Sequence, residues 1–195
     1  MFSMRGFERV EYDPWDNMTN DMLFWVVTMK PDGSDIHVAV GPEEWLKGGH
    51  HTTWQPDGKR LSMNLAVDGN WRMYFMEVDY NGENYRKIHD TLLGSGHPTI
   101  HPNGRHILTD SYESEPVAFG DGTVPLRFID IKNGTEKTAV RINVGNEAAK
   151  TNGTLRVDPH PAWLPDSRYA AFNGYVNGTR RVFIADFKEL LEGNI

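Results

Sequence analysis

The stretch His51–Gly58 reads HTTWQPDG and is the first of three copies of one sequence pattern. The second copy is His97–Gly104, HPTIHPNG, and the third is His160–Ser167, HPAWLPDS. Each copy runs from a histidine through a large apolar residue to a proline-containing turn, and a basic residue and a strand-like run follow it. Repetition of a whole structural unit along a chain indicates a propeller or a solenoid.

The composition narrows the class of protein. The chain has 195 residues, of which 38% are hydrophobic, so it can bury a core. It has no cysteine, which excludes disulfides, thiolate metal sites and a cysteine nucleophile. A net charge of −7 argues against nucleic-acid binding, and no apolar run approaches the ~20 residues of a membrane span. Because residues 1–25 show no signal peptide, we expect a cytoplasmic protein, or a periplasmic one if the N-terminus is truncated.

The runs between the copies predict an all-β fold made of four-stranded antiparallel blades. Asn81-Gly82, Asn133-Gly134 and Asn177-Gly178 each separate two strand-like runs, as hairpin turns do. We therefore expect one partial β-propeller domain over residues 1–195, with about three to four blades. Its parts are a half blade at 22–47, whole blades at 48–94 and 95–145, and an incomplete blade at 156–187.

The predicted blade count is small for a closed ring, because propellers close with about four to eight blades. The first unit has no histidine copy before it, and the last has no fourth strand. Open blade edges expose unpaired backbone, so we expect either a piece of a longer propeller, lacking its N-terminal half, or a half that associates with another chain. The alternative is a small ring closed by pairing strands from both termini.

The histidine of each copy stands just before the predicted innermost strand, beside the central channel. His51, His97 and His160 should therefore face the same end of that channel. Neutral imidazoles are common ligands of divalent metals, and Asp158 lies two residues before His160, on the same face if that segment is a strand. The alternative is that the histidines cap the turns by hydrogen bonding to the backbone.

Arginines are candidates for holding an anionic substrate, because a guanidinium binds a carboxylate through two parallel hydrogen bonds. Arg156 is the favoured one, since it is nearest in sequence to the candidate ligands. Arg105, Arg180 and Arg181 follow the turns and are further candidates, or ordinary surface charges.

The chain resembles the TolB-like propellers and, more closely, the oligogalacturonate lyases. Gly48–Trp54, Gly96–Asp110 and Arg156–Pro161 carry the resemblance, which covers about residues 20 to 187. It implies that the chain corresponds to the C-terminal half of a seven-bladed ring. It also implies an enzyme that cleaves acidic oligosaccharides by β-elimination with a divalent metal, typically manganese.

The resemblance assigns roles to individual residues. His97 and His160 match the metal-binding histidines, and His51 matches the blade position of the catalytic base. Apart from the resemblance, we expect His50 and Arg156 to bind the substrate. The lyases have a His-x-His pair where this chain has Asp158-x-His160, and a carboxylate can replace an imidazole as a manganese ligand. Their glutamine ligand has no clear counterpart near Leu155. The alternative function is a non-catalytic TolB-like scaffold that binds protein partners at the channel mouth.

Overall fold

The computed structural model describes residues 2–7, 22–45, 47–68, 72–145 and 156–193. The chain divides into two compact units, Met1–Gly94 and Ser95–Ile195, and each is described by itself. Every sheet consists of antiparallel strands that follow one another in sequence. None of the helices in the described part of the chain is long and apolar enough to cross a membrane.

The first unit contains a three-stranded and a four-stranded sheet. Apolar residues of both sheets, Val26, Leu61, Met63, Leu65 and Met76 among them, form one buried cluster. The elements are β1 (Phe2–Phe7), β2 (Met22–Thr28), β3 (His37–Val40), helix α1 (Pro42–Trp45), β4 (Gly49–Trp54), β5 (Arg60–Ala66), β6 (Met73–Asp79) and β7 (Arg86–Lys87).

Strand β1 is an addition to the half blade predicted at 22–47. Phe2–Phe7 pairs with Met22–Thr28 along its whole length, with Phe2 opposite Val27 and Phe7 opposite Met22. The prediction of two strands there was incomplete, because Phe2–Phe7 carries none of the turn motifs that mark the other strands. Strand β1 is therefore recognised only by its pairing with β2 in the structure.

The second unit also contains one four-stranded and one three-stranded sheet. Its core includes Leu108, Leu126, Phe128, Phe172 and Phe187, all buried. The elements are β8 (Thr99–Ile100), β9 (His106–Thr109), β10 (Thr123–Asp130), β11 (Thr135–Asn143), β12 (Ala162–Trp163), β13 (Tyr169–Val176), β14 (Thr179–Asp186) and helix α2 (Lys188–Glu192). The last sheet has three strands among the described residues, as the sequence predicts.

The three sequence copies fold in the same way at the level of the backbone. In each copy, the carbonyl of the residue before the proline accepts a hydrogen bond from the backbone N–H of the Gly or Ser three residues later. This Gly or Ser has a left-handed φ, which glycine adopts at no steric cost. The φ angles are 65°, 68° and 59° at Gly58, Gly104 and Ser167. The copies share a third feature, which is a hydrogen bond to the carbonyl of the basic residue after the turn. Each bond is 2.9 Å long and comes from a backbone N–H: Tyr80 donates to Lys59, Ile131 to Arg105 and Phe187 to Arg168.

The histidines do not all occupy the predicted place before the inner strand. His97 and His160 precede β8 and β12, as expected, but His51 lies inside β4. The pairing of β4 with β5 is irregular between His50 and Thr53, and His51 has a φ of 61° within this bulge. The strand begins early because Gly49 already pairs with Leu65.

Asp130 shows how a turn is joined to the strand beside it. This buried residue ends β10, and its carboxylate accepts hydrogen bonds from the Arg105 guanidinium and from the backbone N–H groups of Lys132 and Asn133. The hydrogen bond from Arg105 lowers the pKa of Asp130 from 3.8 to about 2, against the raising effect of burial. The ionised carboxylate is therefore favoured by folding.

Asp130→Asn should lower the free energy of unfolding of the full chain by about 2 kcal/mol at neutral pH, because it removes charge-assisted hydrogen bonds at a buried position. The wild-type advantage is fully present above the ordinary aspartate pKa of 3.8 and is lost as the pH falls through about 2. Urea unfolding followed by tryptophan fluorescence at several pH values measures it.

The matched control is Asp121→Asn, which removes an exposed carboxylate paired with Arg141 on the surface of the same unit. This variant should change stability little, because solvent screens exposed pairs. Equal losses in the two variants, or a pH-independent loss in Asp130→Asn, would contradict the account of Asp130.

Candidate functional site

The candidate site of the second unit is organised around the carboxylate of Asp110, which is 0% exposed. Asp110 directly follows strand β9. Its Oδ1 accepts the backbone N–H of His97 at 2.6 Å, and its Oδ2 accepts the backbone N–H of His160 at 3.0 Å. The His97 imidazole donates to the same carboxylate from Nδ1, at 3.0 Å from each oxygen. One buried side chain therefore holds both histidine loops.

Gly96 allows the backbone to come this close to Asp110. Its φ is 56°, and a Cβ added there would overlap the backbone carbonyl and the carboxylate of Asp110. Any other residue would push the His97 backbone away from its acceptor. The dipeptide Gly96-His97 is thus a structural requirement of the buried carboxylate.

The ionisation of Asp110 fixes the tautomer of His97. Burial raises the pKa of Asp110, but the hydrogen bond and charge of His97 and the two backbone donors outweigh it, so the pKa lies below 3.8. An ionised carboxylate only accepts hydrogen bonds, so Nδ1 of His97 carries a proton, and in the neutral form of the ring Nε2 carries the lone pair. This is the arrangement in which metal-binding histidines are held in proteins.

His97, Asp158 and His160 each contribute one potential ligand atom, and these atoms lie within 4.8 Å of one another. The three residues named as ligands from the sequence are therefore brought together, and metal binding by them stays a prediction. The rings of His97 and His160 are in contact, with centroids 3.4 Å apart. The group is accessible from one side, because His97 is buried whereas His160 is exposed.

The loop conformation differs from the prediction. We expected Asp158 and His160 to share one face of a strand, but residues 156–161 are not in a strand, and β12 begins only at Ala162. His160 instead has a φ of 44°, in the left-handed region that residues other than glycine enter at a cost. The backbone bond from His160 to Asp110 holds it there.

The environment of His160 favours the neutral imidazole. Partial desolvation of the ring and the neighbouring His97 lower the pKa of His160, against the opposing effects of Asp110 and Asp158. Neutral imidazole is the form that binds metal ions. The electrostatics of the group therefore agree with a role as nitrogen donors.

Arg156 lies against the same group. Its Nε and Nη2 donate to Oδ2 of Asp158 at 3.1 and 2.6 Å, and its guanidinium stands 5.5 Å from the centre of the Tyr112 ring. The Tyr112 hydroxyl is 3.4 Å from Nε2 of His97, and burial together with Asp158 raises the pKa of Tyr112 to about 12. Tyr112 is therefore a neutral hydroxyl beside the donor atoms.

His50 and His51 lie in the first unit, on strand β4, with ring centroids 4.3 Å apart. The side-chain amide of Asn64 is 3.2 Å from Nδ1 of His50. An amide nitrogen donates, so Nδ1 of His50 accepts and Nε2 of the neutral ring carries the proton. This orientation suits His50 as a hydrogen-bond donor to an anion. The roles of His50, His51 and Arg156 stay predictions.

No protein-family model and no curated protein matches the chain. Solved structures do match. An oligogalacturonate lyase in complex with manganese superposes with a TM-score of 0.61 at 20% identity, over 90% of this chain and 43% of that one. An oligogalacturonate lyase from Vibrio parahaemolyticus gives 0.60 at 15% identity, over 94% and 45%. TolB from Acinetobacter baumannii gives 0.60 at 15%, over 84% and 35%.

The chain has the β-propeller fold of the oligogalacturonate lyase and TolB structures. The predicted fold class, an all-β partial propeller of antiparallel blades, is confirmed by these matches and by the sheet topology. The chain spans less than half the length of the propellers it matches. At these identities the likeness concerns the fold, so the function of this propeller must be argued from its own residues.

Sequence reasoning missed two members of the site. Asp110 was part of a recognised stretch but received no role, and Tyr112 was not considered. One sequence feature could have identified Asp110. The strand-like run His106–Thr109 is followed directly by this aspartate, and the pair Gly96-His97 precedes the run. An aspartate that ends a strand of the core needs donors, and the Gly-His backbone supplies them. The sequence offers no clear counterpart of the lyases' glutamine ligand near Leu155, and Leu155 lies outside the described residues.

Asp110→Asn should weaken divalent-metal binding by roughly 10–100-fold, because loss of a group that orients a ligand typically has this effect. The amide would no longer select the tautomer of His97. Manganese affinity is measured by titration, and the imidazole ¹⁵N shifts report the tautomer, which a purely structural role of Asp110 would leave unchanged.

Asp121→Asn is again the control, since it removes a carboxylate at an exposed position of the same unit. Circular dichroism at low temperature establishes that the Asp110→Asn protein is folded. A folded variant with wild-type affinity and an unchanged His97 tautomer would contradict the role assigned to Asp110.

Proposed function

We propose that this propeller binds a divalent cation, manganese, and acts on acidic oligosaccharides by β-elimination. The observation that carries the proposal is the approach of the donor atoms of His97, Asp158 and His160 to within 4.8 Å of one another. A solved structure of the same fold, an oligogalacturonate lyase, is in complex with manganese, and this supports the choice of ion.

The donor set fits such an ion. Two imidazole nitrogens and one carboxylate suit manganese and other divalent ions of intermediate softness. Asp110 accepts the Nδ1 proton of His97, so Nε2 is the ring nitrogen that would bind the ion. His97, Asp158 and His160 would hold the ion, which when bound acts as a Lewis acid toward a substrate carboxylate and favours removal of the neighbouring C–H proton.

The chain supplies the remaining groups for an elimination. A neutral imidazole is a suitable base near pH 7, and we assign this role to His51. His50 is not suited to it, because its Nδ1 accepts from Asn64 and its Nε2 carries the proton. The base takes the proton from C5 of the uronate, a C4–C5 double bond forms, and the C4–O bond breaks. Its electron pair leaves with the released sugar oxygen, which takes a proton from solvent. Arg156 binds a substrate carboxylate.

A non-catalytic scaffold is the second candidate, because TolB has the same fold at a TM-score of 0.60, against 0.61 and 0.60 for the two lyases. The two candidates differ in their dependence on the donor group. A scaffold would recognise protein partners without metal, whereas the lyase-like function requires the metal.

Replacing both His97 and His160 by Ala should abolish binding of stoichiometric manganese, because one carboxylate alone is a weak ligand set. Elemental analysis after gel filtration in manganese measures the content. His37→Ala/His89→Ala removes two histidines from the other unit and should leave the metal content unchanged. Retention of stoichiometric metal by the His97/His160 double variant would overturn the assignment of the ligands.

His51→Ala should lower turnover by ~10²–10⁴-fold at unchanged metal content, because removal of a general base typically has this effect. Arg156→Ala should mainly raise the substrate concentration needed for half-maximal rate. The rise in ultraviolet absorbance of the unsaturated product, with digalacturonate and manganese, measures both. Full activity in His51→Ala excludes it as the base, and metal-loaded wild-type protein without activity on any uronate favours the scaffold.

A further inference from the structure

One polar position recurs in all three sequence copies, although it lies beyond the pattern that defines them. It stands thirteen residues after the histidine and is Asn64, Asp110 and Asn173 in turn. In every copy its side chain hydrogen-bonds back to the segment around that histidine. The recurrence indicates that this position fastens the start of each copy to the strand that follows the turn.

Asn173 performs this task beside the candidate metal ligands. It lies in strand β13, and two of its groups bond to consecutive carbonyls of the loop before β12. Its Nδ2 donates to the carbonyl of Asp158 at 3.1 Å, and its backbone N–H donates to the carbonyl of Pro159 at 2.7 Å. These bonds set the path of the backbone at the residue that contributes the carboxylate of the donor group.

The loop depends on such bonds, because residues 156–161 lie outside the strands and gain no support from a ladder. Three consecutive residues of the loop are fastened. Asn173 holds the carbonyls of Asp158 and Pro159, and Asp110 holds the N–H of His160. Asp110 therefore fixes the histidine side of the donor group, and Asn173 fixes the carboxylate side.

The carboxylate of Asp158 has a second anchor in Arg156, and this anchor is the weaker one. Both hydrogen bonds from the guanidinium reach Oδ2, so they do not occupy Oδ1. The Arg156 side chain is 61% exposed, and solvent screens an ion pair at such a position. The place of the carboxylate is therefore set mainly through the backbone of Asp158.

We propose that Asn173 is a positioning residue, which keeps the carboxylate of Asp158 within reach of an ion held by His97 and His160. The proposal rests on the metal binding of the proposed function and names the residue that secures its third ligand. An amide suits this position because Nδ2 donates to a carbonyl. The carboxylate of Asp110, at the same position of the second copy, accepts from backbone N–H groups instead.

Two variants remove the donor to the Asp158 carbonyl. Asn173→Asp keeps the size of the side chain, and Asn173→Ala adds no charge. Each should weaken manganese binding to the full chain by roughly threefold to tenfold, the loss expected for one neutral hydrogen bond. Isothermal titration calorimetry measures the affinity, and circular dichroism establishes that each variant is folded.

A double-mutant cycle with Asp158→Ala separates positioning from a general loss of structure. Asn173→Ala should weaken metal binding in the wild-type background and have little further effect when Asp158 is already replaced. The cycle is repeated with zinc, which binds nitrogen-containing sites more tightly than manganese and keeps the weakened variants measurable. An equal loss in both backgrounds would overturn the proposal, and so would wild-type affinity in both Asn173 variants.

The matched control is Asn143→Ala, which removes an amide from an exposed position of the same unit. Its Oδ1 accepts the backbone N–H of Gly145 at 2.9 Å, at the end of β11. This variant should bind manganese as the wild type does, because the bond supports no part of the donor group.

Failure of the proposed function gives a different result. If the wild type binds neither manganese nor zinc, the donor group is not a metal site and both proposals fall. If the wild type binds manganese and Asp158→Ala weakens it, but the Asn173 variants bind it unchanged, the positioning role alone is excluded.

Discussion

The buried carboxylate of Asp110 is the constraint on which the candidate site depends. Burying an ionised carboxylate is costly unless every oxygen is hydrogen-bonded, so the surrounding chain must present donors. It does so with the backbone of His97, the backbone of His160 and the His97 imidazole. The same bonds that satisfy the charge therefore draw two histidine loops together and orient one ring.

Other features of the site follow from this arrangement. Gly96 is needed because the His97 backbone approaches Asp110 so closely that no Cβ fits. The left-handed backbone of His160 is tolerated because its N–H is held by the same carboxylate. Asp158 then lies beside the two imidazoles, and its charge is shared with Arg156. The bond from His160 to Asp110 and the Arg156–Asp158 pair thus join the donor group to the loop that carries Arg156.

The repeat made the fold and part of the site predictable from sequence. The turns at Gly58, Gly104 and Ser167 share one hydrogen-bond pattern, which is why one motif marks all three. Asp110 was not predictable in the same way, because its partners lie 13 and 50 residues away and no local pattern connects them. Likewise, alternation along a strand could not describe Asp158 and His160, since the turn of the backbone at His160 is held by that distant carboxylate.

The propeller fold alone leaves the function open, since lyase and TolB structures share it. What distinguishes this chain is the chemistry it places on the fold: a tautomer-fixed histidine, a second neutral imidazole and a carboxylate with accessible donor atoms. The central claim is that this group binds a divalent cation through both imidazoles. Pulsed electron paramagnetic resonance of the manganese-loaded full chain tests it most directly. We predict nitrogen hyperfine couplings from two histidine rings, whereas a spectrum with water couplings and no coordinated nitrogen would contradict the account.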